Sequence, residues 1–130
     1  MILIIDDDIA VRTALLLLLQ NEGYEVRSAD EPAKAMALVK QQAPRLIILD
    51  LNFSIDTSGK EGMQLLGEIK NFNDKIPVIL ITGWGTIELA VQGMKLGAND
   101  FLNKPWSNDH VLASVKTLLQ LKEKKTEKHG

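Results

Sequence analysis

The sequence contains no cysteine, so it can form neither a disulfide bond nor a thiolate metal site. It also lacks a long apolar run: the longest, Ala14 to Leu19, is too short to cross a bilayer, and no basic segment precedes it. Basic residues are not in excess either, and the formal net charge of -2 argues against a nucleic-acid-binding surface. These absences favour a soluble, cytoplasmic domain that binds neither nucleic acid nor membrane.

What the chain does contain is a regular alternation of short apolar runs and segments with helical periodicity. Its 130 residues, of which 45% are hydrophobic, suit one compact domain with a real core. The apolar runs predict five strands, at residues 2–5, 24–28, 45–50, 77–81 and 100–102. Helical spacing after each run predicts five helices, with apolar positions between residues 11 and 19, 35 and 39, 63 and 69, 87 and 96, and 111 and 121.

This strand-then-helix order is typical of a parallel sheet with helices on both faces. Right-handed crossovers then favour a five-stranded, doubly wound α/β sheet in three layers. We expect Asp8 to cap the first helix and the domain to span residues 1–121. Residues 122–130 are charged and lack periodicity, which predicts a frayed tail or the start of a linker to a further domain.

The third apolar run, Arg45 to Asp50, ends on a carboxylate. An all-apolar strand is comfortable when it is buried on both faces, but an Asp inside it is not. The pattern therefore predicts that Asp50 lies at the carboxyl end of the strand, where the chain leaves the sheet and meets solvent. In open parallel sheets, this is the edge at which ligands bind.

Other polar residues fall in comparable places. Asp6 and Asp7 follow the first strand, Thr82 ends the fourth, and Lys104 follows the fifth. Three carboxylates at one edge repel one another unless a cation shares the site, and oxygen ligands of this kind suit Mg²⁺. Together with a hydroxyl and an ammonium group, they could bind a phosphoryl group while Asp50 attacks it.

Four motifs, in order and each at a strand end, carry a resemblance that covers the chain from Leu3 to the last helix. They are Ile-Ile-Asp6-Asp7-Asp8-x-x-x-Arg12, Leu-Ile-Ile-Leu-Asp50, Ile-Thr82-Gly83 and Ala98-x-x-Phe101-x-x-Lys104-Pro105. With them the sequence resembles a response-regulator receiver domain of bacterial two-component signalling, and most of all the receivers of nitrogen-regulator-type transcriptional activators. The resemblance implies a flavodoxin-like (βα)5 fold.

The resemblance also implies a role for each matching position. Asp50 corresponds to the phosphorylated aspartate, and Lys104 to the lysine that stabilises the transferring group. The implied Mg²⁺ ligands are the acidic pair with Asp7 the more direct, the phosphorylated residue, and a backbone carbonyl: Asp6, Asp7, Asp50 and Asn52. The implied switch residues are Thr82, whose hydroxyl meets the phosphoryl group, and Phe101, whose ring changes rotamer. Lys104-Pro105 would be a cis peptide.

The function implied is a phosphorylation-operated switch. A sensor histidine kinase or a phosphotransfer protein would donate the phosphoryl group, and the domain would catalyse its own phosphorylation and dephosphorylation without turning over a metabolite. The added charge would shift the face formed by the fourth helix, fifth strand and fifth helix. The resemblance further implies an ATPase or DNA-binding output domain in the full-length chain, and a homodimer formed through the fourth and fifth helices.

The sequence departs from the family pattern in the segment that follows Asp50. Asp50 and Gly62 are twelve residues apart (62 − 50), a longer segment than is usual in the family, and Phe53-Ser54 stands where Met-Pro is common. We expect the lengthened loop from Phe53 to Lys60, together with Trp84, to cover the site and affect the lifetime of the phosphoryl group.

The alternative function is a receiver-like docking module that is not phosphorylated. A phosphoaspartyl hydrolase is disfavoured because Asn52 stands where a second carboxylate is usual. Phe101 fits a core role as well as a switch role, Asp6 to Asp8 could serve only as a helix cap, and Lys104 alone would be a surface lysine.

Overall fold

The computed structural model describes residues 1–51, 60–83 and 87–128, and for residue 87 and residues 122–128 it describes the backbone alone. Strands and helices alternate along the chain, as the sequence predicts. The strands are β1 (Ile2–Ile5), β2 (Val26–Ala29), β3 (Leu46–Asp50), β4 (Val78–Thr82) and β5 (Asp100–Asn103). The helices are α1 (Ile9–Asn21), α2 (Pro32–Gln41), α3 (Lys60–Phe72), α4 (Ile87–Lys95) and α5 (Asn108–Lys128).

The five strands form one parallel sheet in the order β2-β1-β3-β4-β5. The chain winds from β1 outward to β2, returns to β3 on the other side of β1, and then continues to β4 and β5. The direction of winding thus reverses between β1 and β3, and in doubly wound sheets the carboxyl ends of the two strands at such a point flank the ligand crevice. The predicted five-stranded, doubly wound α/β fold is confirmed.

The core lies on both faces of the sheet because successive strand residues point to opposite sides. Leu3, Ile5, Ile47, Leu49 and Leu80 face one way, onto a cluster completed by the apolar sides of α2 and α3. Their neighbours face the other way, onto α1 and α5: Ile2, Ile4, Leu46, Ile48, Ile79 and Ile81. Burying each such side chain contributes about 1.5–3 kcal/mol, so the central strands hold the three layers together.

Helix α1 begins where the sequence predicts, because the Asp8 side chain accepts a hydrogen bond of 2.8 Å from the amide of Ala10. The start of β2 differs from the prediction by two residues. Tyr24 lies in the turn that follows α1, where its amide donates to the carbonyl of Leu19 at 3.2 Å, and pairing with β1 begins only at Val26. The backbone of α5 is helical through Lys128, whereas the charge pattern predicts a frayed chain after Leu121.

In the described part of the chain, no helix combines the length and the apolar character needed to span a membrane.

Candidate functional site

Asp50 lies at the carboxyl end of β3 and forms an ion pair with Lys104. The ammonium group of Lys104 donates a hydrogen bond of 2.7 Å to Asp50 Oδ2. Asp50 is the last residue of β3, as the sequence predicts, but it is only 2% exposed, so the expectation that the strand meets solvent at this point is wrong. Asp6, which follows β1, and Lys104, which follows β5, lie against the end of β3, and the ion pair with Lys104 compensates the charge of Asp50. The Lys104-Pro105 bond is cis, as the resemblance implies.

Asp6 is buried beside this ion pair. Its Oδ1 accepts a hydrogen bond of 2.9 Å from the amide of Asp8, and its backbone carbonyl accepts one of 2.8 Å from the guanidinium of Arg12. Its Oδ2 lies 3.9 Å from Lys104 Nζ and has no hydrogen-bond partner among the described residues. A buried carboxylate oxygen without a hydrogen bond raises the free energy of the folded state, and a further positive group beside it would lower that free energy.

These surroundings raise the pKa of both Asp6 and Lys104. The shift favours the neutral form of Asp6 but the charged form of Lys104. Burial, and then the neighbouring Asp50 carboxylate, raise the pKa of Asp6 to about 8. Burial alone would lower the pKa of Lys104, but the hydrogen bond to Asp50 and the nearby carboxylate charges outweigh it, so this pKa is raised. Lys104 is therefore a permanent cation, whereas Asp6 gains a proton easily when no further cation is near.

The acidic cluster has the composition of a site for a hard divalent cation. One carboxylate oxygen from each of Asp6, Asp7 and Asp50 lies within 4.8 Å of the others, with Asp7 on the exposed side and the other two buried. Mg²⁺ favours a few carboxylates together with water, and an exposed Asp7 leaves room for water on one side. The unsatisfied Oδ2 of Asp6 supports the same interpretation, so the residues present fit Mg²⁺.

Thr82, at the carboxyl end of β4, is fully buried, and its hydroxyl donates a hydrogen bond of 2.9 Å to Asn103 Oδ1. The two residues are direct partners across β4 and β5. The next amide, that of Lys104, donates to the carbonyl of Thr82 at 2.7 Å. The structure therefore joins the backbone of Thr82 to Lys104, and the hydroxyl of Thr82 to Asn103, a residue that sequence reasoning passed over.

The remaining predicted residues lie nearby or outside the described ranges. Phe101 is partly buried and packs against the edge of the core cluster formed with α2 and α3. Gly62, near the start of α3, is packed so closely on Leu51 that a Cβ would lie 2.7 Å from the Leu51 Cα. Asn52, Trp84 and the loop from Phe53 to residue 59 lie outside the described residues.

Sequence reasoning missed the two residues that support others. Arg12 entered only as part of a motif, yet its guanidinium holds the backbone of Asp6 from one turn into α1. Asn103 carries no motif of its own. The available signal was its position: it directly precedes Lys104, and a five-stranded sheet places the ends of the fourth and fifth strands side by side.

Comparisons with known proteins bear on the family and the fold of the chain. Residues 2–116 match the response regulator receiver domain family. The chain is 35% identical over 119 residues to the nitrogen assimilation regulatory protein NtrX of Azorhizobium caulinodans, covering 92% of this chain and 26% of that protein. It is 36% identical over 118 residues to the transcriptional regulatory protein ZraR of Escherichia coli, covering 91% and 26%.

Among solved structures, the receiver domain of NtrX from Brucella abortus matches with a TM-score of 0.86 and 35% identity, covering 92% of this chain and 98% of that one. The chain thus spans about a quarter of the length of the curated relatives and nearly all of the solved receiver domain. Sequence, sheet order and relatives lead to one conclusion: the chain belongs to the response-regulator receiver domain family of two-component signalling.

Proposed function

We propose that this chain is switched by Mg²⁺-dependent transfer of a phosphoryl group to Asp50 from a phosphohistidine. The donor would be a sensor histidine kinase or a phosphotransfer protein. The observation that carries the proposal is the buried ion pair at the switch point of the sheet, in which Asp50 and Lys104 are 2.7 Å apart beside the carboxylates of Asp6 and Asp7. A nucleophile, a fixed cation and a set of oxygen ligands thus meet at one point.

The transfer forms one bond and breaks one. A carboxylate oxygen of Asp50 attacks phosphorus in line, the new O–P bond forms, and the P–N bond of the phosphohistidine breaks. The electron pair of that bond stays on the imidazole nitrogen, and the other ring nitrogen already carries a proton, so the donor leaves as neutral imidazole. Lys104, held next to Asp50 and protonated because its pKa is raised, is placed to offset charge on the transferring oxygens.

When bound, Mg²⁺ would neutralise charge on the phosphoryl oxygens, and Asp6, Asp7 and Asp50 would hold it together with the carbonyl of Asn52, which lies outside the described residues. Asp6 contributes its Oδ2, which has no hydrogen-bond partner among the described residues, while its Oδ1 stays oriented by the amide of Asp8. Asp7, being exposed, is the ligand that a cation arriving from solvent meets first.

The proposal extends to the response and to the partners. In it, Thr82 donates its hydroxyl to the phosphoryl group, Phe101 changes rotamer, and the α4-β5-α5 face moves between two states. The domain hydrolyses its own acyl phosphate, controls an ATPase or DNA-binding output domain or another partner, and forms homodimers through α4 and α5. The proposal includes a domain boundary at residue 121 and a cytoplasmic location.

The mass of the intact protein tests the central claim. After incubation with Mg²⁺ and acetyl phosphate, we expect one phosphoryl adduct, which is absent when Mg²⁺ is omitted and in the Asp50→Asn variant. Asp109→Asn is the matched control, because it makes the same exchange at an exposed position in the first turn of α5, and it should be labelled like the unaltered chain.

An adduct that persists in Asp50→Asn would contradict the assignment of the phosphoacceptor. Absence of an adduct, together with no binding of Mg²⁺ and beryllofluoride, would favour the receiver-like docking module instead.

A further inference from the structure

We propose that Asn103 is a positioning residue that holds the Thr82 hydroxyl toward β5 and so opposes the switch until Asp50 is phosphorylated. The inference rests on the proposed function, in which that hydroxyl donates to the phosphoryl group. Its own observation is the 2.9 Å hydrogen bond from Thr82 Oγ1 to Asn103 Oδ1.

A threonine hydroxyl carries one hydrogen, so it donates to one acceptor at a time. In the unphosphorylated structure that acceptor is the carboxamide oxygen of Asn103. Thr82 can meet a phosphoryl oxygen only after this bond breaks, because both acceptors compete for the same proton. The strength of the bond to Asn103 is therefore subtracted from the free energy that Thr82 gains on phosphorylation.

The surroundings limit how the Thr82 hydroxyl can move between the two acceptors. The backbones of Thr82 and Asn103 are held in register as paired residues of β4 and β5, and the Lys104 amide bonds the Thr82 carbonyl at 2.7 Å. The backbone of Thr82 is thus anchored, which leaves rotation about its Cα–Cβ bond as the movement available to the hydroxyl. Thr82 is fully buried, so water does not readily replace Asn103 as the acceptor.

Asn103 itself is suited to release the hydroxyl. Its side chain is exposed, so its carboxamide can exchange the bond to Thr82 for bonds to water when the hydroxyl turns away. The bond links the end of β4, which neighbours the phosphoacceptor strand β3, to the end of β5, which leads into Lys104 and α5. Breaking it would remove the side-chain link between the two strand ends and leave the backbone bond from the Lys104 amide to the Thr82 carbonyl, which connects phosphorylation to the side chains of β5.

Two measurements test this role. The first uses no phosphoryl group: three-bond couplings from the Thr82 methyl carbon to the backbone nitrogen and carbonyl carbon report the side-chain rotamer by NMR. We expect a single rotamer in the unaltered chain, averaged couplings in Asn103→Ala, and restored single-rotamer couplings in Asn103→Asp, which keeps an acceptor oxygen at this position. Gln41→Ala, which removes an exposed carboxamide at the end of α2, should leave the couplings unchanged.

The second measurement is the affinity for beryllofluoride in the presence of Mg²⁺. Losing one competing hydrogen bond should tighten binding by Asn103→Ala about fivefold relative to the unaltered chain and to Gln41→Ala. In a Thr82→Val background there is no hydroxyl to release, so adding Asn103→Ala should change the affinity little. A merely structural role for Asn103 would give the same change in both backgrounds.

The outcomes separate this inference from the proposed function. Unchanged couplings in Asn103→Ala, or a gain in affinity that survives in Thr82→Val, would overturn the role of Asn103 and leave phosphorylation of Asp50 untouched. If the unaltered chain fails to bind beryllofluoride with Mg²⁺, the proposed function is overturned, and the positioning role with it.

Discussion

Among single residues, Asp6 has the least balanced surroundings. It is 1% exposed, lies against a second carboxylate, and has one oxygen that makes no hydrogen bond within the described part of the chain. The ammonium group of Lys104 is 3.9 Å from this oxygen but only 2.7 Å from Asp50. Lys104 therefore lies near both carboxylates but pairs closely with Asp50, which leaves Asp6 protonated near neutral pH when no metal ion is bound.

This imbalance predicts how the free energy of unfolding of the metal-free protein depends on pH. An unfolded Asp loses its proton near pH 3.8, but folded Asp6 keeps its proton up to about pH 8. Between these values the folded state binds one more proton than the unfolded state, so the free energy of unfolding falls as the pH rises toward 8. Urea denaturation at pH 6 to 9 in the presence of a chelator should show this fall.

The Asp6→Asn variant should lose most of that pH dependence, because an amide does not titrate. Asp7→Asn removes a carboxylate from the exposed side of the same cluster and should keep it. Mg²⁺ should reduce the slope in the unaltered chain by stabilising the ionised form. Equal slopes in Asp6→Asn and in the unaltered chain would contradict the raised pKa.

At the same scale, sequence reasoning identified the types of site residue but not how they are paired. Asp6, Asp7, Asp50 and Lys104 were expected at one edge because parallel strands bring their carboxyl ends together, and the structure brings them together. The burial of Asp50 was not predictable, since it depends on which side chains close over the strand end. Asn103 was missed for a similar reason: its role comes from a partner on another strand.

Helix α3 packs closely against the chain at the end of β3, the strand that carries Asp50. Its residue Gly62 lies against the backbone of Leu51, the residue that follows Asp50. A Cβ at Gly62 would lie 2.7 Å from both the Cα and the carbonyl oxygen of Leu51, and backbone atoms cannot yield as the end of a side chain can. The absence of a side chain at Gly62 thus sets how closely α3 approaches the end of β3.

A pair of glycine substitutions in α3 separates this contact from helix propensity. Gly67 has no atom within 4 Å of the position that a Cβ would take, so Gly67→Ala should raise the free energy of unfolding by about 0.5–1 kcal/mol. Gly62→Ala gains the same propensity, but it should lower the free energy of unfolding by about 1–3 kcal/mol because of the overlap. Guanidinium denaturation of both variants measures the difference, and equal stabilisation would show that the contact yields.

The number and order of the strands and helices were predicted better than any other part of the structure. The reason is that a short apolar run bounded by polar residues fits a buried strand and few other structures. Boundaries failed where a local hydrogen bond decided them. The start of β2 differs from the prediction because the Tyr24 amide bonds back to Leu19 of α1. That bond leaves no mark in the hydrophobic pattern.

At the scale of the whole molecule, the two core clusters determine how much of the chain the fold needs. In the described residues, the last buried side chain is Leu119, which is 6% exposed and packs with Val111 and Val115 against the sheet. Leu121 is 52% exposed, although the backbone of α5 continues as a helix to Lys128. The domain boundary proposed at residue 121 therefore falls just after the last core residue.

Two truncations test this boundary. A chain that ends at Leu121 keeps both clusters, so its free energy of unfolding should stay within about 1 kcal/mol of the value for the 130-residue chain. A chain that ends at Lys116, where the family match ends, loses the core residue Leu119 and should be less stable by about 2–5 kcal/mol. Thermal and chemical denaturation measure both. Equal stability of the two truncations would show that the last turns of α5 contribute nothing to the core.

The central strands β1, β3 and β4 are buried along their whole length on both faces. In a strand with one polar face, slipping the pairing by one residue turns apolar side chains toward solvent, and this opposes the slip. Here such a slip would only exchange one apolar face for another. The polar residues at the strand ends supply the missing alignment, because a shift of β3 would draw the Asp50 carboxylate into the sheet and away from Lys104. Asp6, Asp50 and Thr82 therefore also help to fix the register of the sheet. The residues proposed to receive the signal thus help to specify the pairing of the strands that hold them.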